Sequence, residues 1–265
     1  MGQELAQAFP AAREVFQEAD EILGFSLSRL AWEGPAEDLT LTKNAQPALL
    51  VHSVAVHRVI GEELGVVTVA AGHSLGEFSA HVAAGTLGFG DALEAVRIRG
   101  ELMFASGVER PGTMAAILGL DDETMEEVCG KVQSEGAICG PANFNSQGQI
   151  VVSGDVEGVT RGMALCKEAG AKKAIPLTVS GAFHSPLMEP AREGLREKLE
   201  KINFSSPSYP VVSNVTSEPV TDGPQARELL VEQLTSPVRW RASVEAMVGL
   251  GVERFFELGE GSVLG

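Results

Sequence analysis

The stretch that most constrains this chain is Val66-Val67-Thr68-Val69-Ala70-Ala71-Gly72-His73-Ser74-Leu75-Gly76-Glu77. An apolar, β-branched run breaks at Gly-His-Ser-Leu-Gly, and helical character resumes from Glu77 to Ala84. Strand, sharp turn, helix is the context in which Gly-x-Ser-x-Gly presents a reactive serine. In such a turn the serine sits at a strained backbone angle, and side chains on both glycine neighbours would crowd it. The spacing predicts that the Ser74 hydroxyl stands clear of a sheet edge. It also points the first free amides of the next helix, starting with that of Leu75, at whatever Ser74 attacks.

Composition narrows the partners. A length of 265 residues suits one large domain, or a large and a small one, and a 44% hydrophobic content supplies a core. The net charge of −16 argues against nucleic acid or an anionic membrane as the main partner. Cys129, Cys139 and Cys166 are odd in number and show no C-x-x-C spacing. They read as reduced thiols in a cytoplasmic compartment, not as a disulfide set or a metal site. Five histidines without an H-E-x-x-H motif make zinc unexpected. No apolar run reaches membrane-spanning length, no signal peptide is visible, and no dinucleotide or phosphate-loop glycine motif occurs. Asn214-Val215-Thr216 is formally a glycosylation acceptor, expected to be inert without a secretory signal.

Periodicity organises the rest. Residues 3–31 read as helix with a break at Pro10, 32–45 as loop and short turns, and 46–64 as a helix with Pro47 in its first turn. Residues 66–71 read as strand, and 91–106 as a helix capped by Asp91. Strands at 112–119, 137–144, 149–153 and 172–179 alternate with helices at 121–133 and 155–169. That β-α-β-β-α-β order is ferredoxin-like and predicts an inserted unit over 111–180. The larger unit then comprises 1–110 and 181–265. Its second half carries a helix at 187–202, a strand at 209–214, helices at 226–234 and within 237–249, and a strand at 254–258. The start of a further helix is expected past Gly261.

Two more residues attract attention. Val96, Arg99, Gly100 and Met103 share one helical stripe, so Arg99 projects from the apolar side. A buried guanidinium needs an anion, and its neighbours three and four residues away are not acidic. The partner is a remote Asp or Glu, or a ligand carboxylate. His184, in Ser180-Gly181-Ala182-Phe183-His184-Ser185-Pro186, lies in a loop at the expected junction of the two units. That placement suits a general base facing a cleft.

Taken with Gln46-Pro47-Ala48-Leu49-Leu50, Asn143-Phe144-Asn145-Ser146, Gln233 to Trp240 and Glu257-Leu258-Gly259, these motifs cover nearly every segment. The chain resembles the malonyl-CoA:acyl carrier protein transacylases of fatty acid and polyketide synthesis. The resemblance implies an α/β fold: an α/β-hydrolase-like large subdomain with a parallel sheet, plus the ferredoxin-like small one. It implies Ser74 as nucleophile, His184 as base, and Arg99 as a bidentate clamp for the free malonyl carboxylate. The main-chain carbonyl of Gln233 would orient the imidazole, as in a dyad built on triad logic. Leu75, Phe183 and His73 would line the substrate, with Phe183 leaving little room for an α-methyl branch. Asn143, Asn145 and Gln233 would support the site. The implied partners are a coenzyme A thioester and acyl carrier protein, met through a local basic surface for which Arg161, Lys167, Lys172 and Lys173 are candidates. No metal or redox cofactor is implied, and a monomer is expected.

The resemblance also marks departures. The family begins with a strand and a Gly-Gln-Gly-Ser-Gln loop whose first glutamine adds an oxyanion amide, whereas Met1-Gly2 matches only the residues after that loop. The family also continues past Gly265, so the chain is expected to be clipped at both ends. Gln147 and Glu260 stand where the family often has proline. Two other readings share the elbow: a serine hydrolase of the esterase type, and a truncated, inactive acyl-CoA-binding form. Arg99 separates them, since a hydrolase has no use for a buried carboxylate clamp.

Overall fold

In the computed structural model, which describes residues 1–262 and 264, the first part of the chain is a stack of helices. α1 (Gln3–Ala8) and α2 (Pro10–Leu23) meet at Phe9, with Pro10 at the first position of α2, where its missing N–H removes no helical bond. The stretch expected as loop is largely helical instead: α3 (Leu27–Glu33), α4 (Ala36–Thr40) and the start of α5 (Thr42–Ile60). Pro47 therefore lies inside α5, beyond its first turn. A proline there deprives the carbonyl four residues back of its donor. That carbonyl, on Lys43, accepts from Arg97 Nη1 at 3.0 Å, so a residue from another helix repairs the defect.

After a 3-10 turn over Gly61–Leu64 come β1 (Ala70–Ala71), α6 (Gly76–Ala83) and α7 (Phe89–Glu109). α7 begins two residues before the expected cap, so Asp91 sits within its first turn. α5 and α7 pack closely because Gly100 has no side chain: a Cβ there would lie 2.8 Å from Thr42 O and from Lys43 Cα. The helices bury a shared core that includes Phe16, Leu50, Phe78, Leu93 and Val96.

Next come β2 (Gly112–Leu118), α8 (Asp122–Ser134), β3 (Cys139–Ser146), β4 (Gln149–Asp155), α9 (Val156–Glu168) and β5 (Lys173–Pro176). The strands form an antiparallel sheet in the order β3-β4-β2-β5. Asp121 caps α8 by accepting from Thr124 N, and Asp155 caps α9 by accepting from Gly158 N. A separate apolar cluster, with Ile117, Met125, Val132, Ile150 and Val159, lies between this sheet and its helices. A 3-10 turn at Pro186–Met188 leads into α10 (Glu189–Leu199), β6 (Val211–Val212), β7 (Pro219–Val220), α11 (Gly223–Glu232) and α12 (Trp240–Gly249). β6 lies between β1, which it pairs in parallel, and β7, which it pairs antiparallel.

Three expected strands shrink or vanish. The run 66–71 forms ladder pairs only at Ala70 and Ala71, and 209–214 only at Val211 and Val212. Residues 254–258 form none. β-branched composition shows that a segment can pair, while pairing itself needs an adjacent edge. Residues 66–69 and 254–258 instead line one open cavity of about 970 Å³, and Val66 is 97% exposed. The strand β7 had no signal in the sequence pattern. Of the helix expected past Gly261, Ser262 and Leu264 are described and neither is helical, and the other two positions lie outside the described residues. Among the described residues, no helix is long and apolar enough to cross a membrane.

Candidate active site

Ser74 stands between β1 and α6 at φ 52°, a left-handed angle that a serine adopts only when its surroundings impose it. The imposition is visible in Gly72, where a Cβ would lie 1.9 Å from the carbonyl carbon of Gly76. Gly76 itself has open space where a Cβ would point, so only the first glycine of the motif is sterically required, against the expectation for both. Asn214 clasps the turn from β6: its Oδ1 accepts from Ser74 N at 2.7 Å, and its Nδ2 donates to Gly72 O at 2.7 Å. The Leu75 N–H lies at the N-cap of α6, where no helical carbonyl is in register to receive it.

His184 comes from the loop after β5, also at a positive φ of 56°. Gly107 lets this loop pass tightly over the end of α7, since a Cβ there would meet Ser180 O at 2.0 Å. His184 Nδ1–H donates to Gln233 O at 2.8 Å, and a carbonyl can only accept, so the tautomer is set and Nε2 is left bare. Gln233 is the C-cap of α11, where the last carbonyls lack helical partners. Ser74 Oγ–H donates to the bare Nε2 at 2.9 Å. Burial, then the nearby Arg99 charge, push His184 down to about 3, so the imidazole is neutral and able to take a proton.

Arg99 reaches the same atom from α7. Nη2 donates to Ser74 Oγ at 3.0 Å and to Gln233 Oε1 at 2.9 Å, and Nη1 donates to Gln46 Oε1 at 2.5 Å. Among the described residues no carboxylate touches it: its direct partners are two neutral amides and a hydroxyl, and the remote acid, Glu77, reaches it by charge and through the Gln233 amide. Its Nε–H is buried without a partner, and burial brings the guanidinium down to about 10, still charged at neutral pH. A buried cation whose direct partners are neutral is suited to a ligand carboxylate.

The remaining expected residues lie around this trio. His73 Nε2–H donates to Asn145 Oδ1 at 2.9 Å, and its ring lies 5.6 Å from that of Trp240. Burial lowers its basicity. Asn143 bridges in parallel to Val238, joining β3 to the segment after α11. Phe183 packs against apolar clusters of both parts of the chain. Of the basic candidates, Arg161 is engaged by Glu135 through two hydrogen bonds of 2.9 and 3.0 Å and is not a free cation. Sequence reasoning missed Asn214, Gln46 and Glu77 as parts of the site. Gln46 and Glu77 were visible only as letters of motifs. Asn214 is fully buried, which also closes it to glycosylation. Among the described residues, no group of three or more His, Cys, Asp or Glu side chains is placed to hold a metal ion.

Comparison with known proteins identifies the family. The acyl transferase domain family matches residues 1–264. This chain belongs to that family. A malonyl CoA-acyl carrier protein transacylase of Bacillus subtilis is 50% identical over 264 residues, covering 100% of this chain and 83% of the relative. One of Escherichia coli is 46% identical over 262 residues, covering 98% and 84%. A solved malonyl-transacylase in complex with its type II PKS acyl-carrier protein superposes with a TM-score of 0.95 at 44% identity, covering 100% of this chain and 85% of that one. An acyl-carrier-protein-S-malonyltransferase of Bartonella henselae gives 0.94 at 45%, with the same coverage. With many helices and a mixed set of parallel and antiparallel strands, this α/β acyl transferase shares the architecture of those structures.

Proposed function

We propose that this acyl transferase moves a malonyl group from a coenzyme A thioester to the phosphopantetheine thiol of an acyl carrier protein, through an ester on Ser74, in fatty acid biosynthesis. The observation that carries the reading is a single oxygen: Ser74 Oγ lies 2.9 Å from His184 Nε2 and 3.0 Å from Arg99 Nη2. Nucleophile, base and carboxylate-binding cation therefore meet within the span of a three-carbon diacid. As Ser74 Oγ bonds to the thioester carbon, its proton passes to His184 Nε2. The oxyanion is received by the Leu75 N–H. The carbon–sulfur bond breaks, and the leaving thiolate takes the proton from His184. The carrier thiol repeats these steps in reverse order, so the cycle is ping-pong. Arg99 swings from the Ser74 hydroxyl to the malonyl carboxylate, and Phe183 restricts the space beside the α-carbon.

The finer architecture belongs to this reading. An α/β-hydrolase-like catalytic part, 1–110 and 181–265, carries the three reacting side chains, and a ferredoxin-like part, 111–180, forms the far wall of the cleft. His73–Asn145 and Asn143–Val238 tie the two together. The carrier protein docks at the exposed basic residues left on that part, Lys167, Lys172 and Lys173. Three buried free thiols suit a reducing cytoplasm. The reaction needs no metal or redox cofactor. Mass spectrometry after mixing with malonyl-CoA tests the proposal: a stable malonyl adduct that Ser74→Ala abolishes is expected. Free malonate accumulating instead means a hydrolase, and neither product means an inactive acyl-CoA-binding protein.

A further inference from the structure

Glu77 is 1% exposed, yet the reaction above assigns it nothing. It lies in the first turn of α6, three residues beyond the nucleophile. Its two hydrogen bonds come from neutral donors: Gln233 Nε2 at 2.6 Å and Asn214 N at 3.1 Å. An ionised carboxylate buried on neutral partners carries a cost that packing alone does not explain, since an apolar residue would fill the same volume. Both donors are pieces of the site. Asn214 clasps the elbow, and Gln233 holds three groups at once. Its backbone oxygen takes the His184 Nδ1–H, its Oε1 takes Arg99 Nη2–H, and its Nε2 also donates to Ser74 O at 3.0 Å.

We propose that Glu77 is the charge-bearing positioning residue of this site, holding Gln233 so that its side-chain amide serves the Arg99 guanidinium and its main-chain carbonyl serves the His184 imidazole. The inference rests on the roles given above to Ser74 and His184. It places behind the amide the negative charge that an aspartate supplies directly in a Ser-His-Asp triad. When His184 takes the Ser74 proton, an imidazolium forms beside Arg99, and two like charges share a dry pocket. A carboxylate one amide away offsets that charge without touching either group, so it favours the protonated imidazole more than the resting one.

The charged groups around Glu77 are few. Arg99, from α7, is the one whose charge reaches it, and His184 bonds the main-chain carbonyl of the same Gln233 whose side chain Glu77 holds. Arg58 of α5 lines a cavity beside Val82 and Ala83 at the far end of α6, His57 lines both that cavity and the larger one shared with Leu75 and Gly76, and His81 of α6 is engaged by Thr86. β1 and β6 present no charged side chain to it. Burial raises Glu77 to about 7, with Gln233, Asn214 and Arg99 opposing the rise. The carboxylate form is therefore lost across the neutral range, whereas His184 is already neutral there.

The test is the rate of Ser74 malonylation from pH 5 to 9 in the wild type, Glu77→Gln and Glu77→Asp, alongside thermal unfolding of each. The wild-type rate is expected to fall on the acid side with a midpoint near pH 7. Glu77→Gln is expected to lose at least tenfold at pH 8, to flatten that acid limb, and to melt at the same temperature or higher. Glu77→Asp, which keeps a carboxylate, is expected to restore an acid limb, and it alone decides the matter should the glutamine variant not fold. A Glu77→Gln enzyme with wild-type rate and limb overturns the proposal. So does a rate loss matched by a lower melting temperature, which marks a structural clamp, and so does a flat profile in Glu77→Asp. Ser74→Ala separates the two claims: an adduct that survives it sinks the site assignment whatever Glu77 does.

Discussion

At the scale of single residues, one oxygen is contested by a base and a cation, and each contact has a distinct consequence. Removing the guanidinium takes away a charged hydrogen-bond donor, worth roughly 1.5–3 kcal/mol, or about 10–10² in rate. Arg99→Ala is therefore expected to lose about that factor in malonyl transfer and to gain acetyl loading, measured as the two acyl adducts on Ser74. A malonyl preference that survives the change removes the clamp. The two motif glycines should also separate. Gly72→Ala forces a Cβ into the Gly76 backbone and is expected to abolish activity with a loss of at least ~3 kcal/mol of stability. Gly76→Ala enters open space at the start of a helix and should fold within about 1 kcal/mol of the parent. Denaturant titrations of both variants check this.

At the scale of elements, the site is assembled by ends of elements. Ser74 sits before α6, the acceptor of the His184 imidazole is the C-cap of α11, and the elbow's clasp follows β6. Single caps then hold the sheet of four strands to its helices. Asp155 accepts from Gly158 N at 2.6 Å and from Ile138 N at 2.7 Å, so it both starts α9 and anchors the entry to β3. Asp155→Ala is expected to cost about 1–2 kcal/mol, read as a lower denaturation midpoint, while Ser74 malonylation at 25 °C stays close to the parent rate.

At the scale of the whole molecule, burial of titratable groups sets the response to acid. His184 and His81 are held down to about 3 and about 4, so unfolding in the acid range is accompanied by proton uptake from the usual value of 6.5 downward. Glu77, held up at about 7, acts with the opposite sign: its cost to the fold grows as pH rises from 4.5 through 7. Two histidines against one glutamate leave a net loss of about one proton's worth, ~1.4 kcal/mol per pH unit, as pH falls from 6.5 to 4.5. His52, His57 and His73, also lowered mainly by burial, add to that loss. Stability measured against pH is expected to fall below pH 6.5. His81→Leu should flatten the slope by one proton, and a slope unchanged in that variant contradicts the assignment.

What this sequence determined by itself was local. The periodicity of 112–180 predicted a strand and helix order that the chain adopts, because each of those strands finds its partner within seventy residues. The Gly-His-Ser-Leu-Gly turn and the apolar stripe bearing Arg99 were readable because backbone sterics and helical spacing act over a few residues. What only the tertiary structure decided was pairing at a distance. The length of β1 depended on how far β6 runs beside it, and 254–258 pairs with no strand among the described residues. Asn214 lies 140 positions from the serine amide it holds, and Gln233 lies 156 positions from Glu77. Buried polar contacts of this kind leave no periodic trace in a single chain, because their strength comes from desolvation, which exists only once the core has closed.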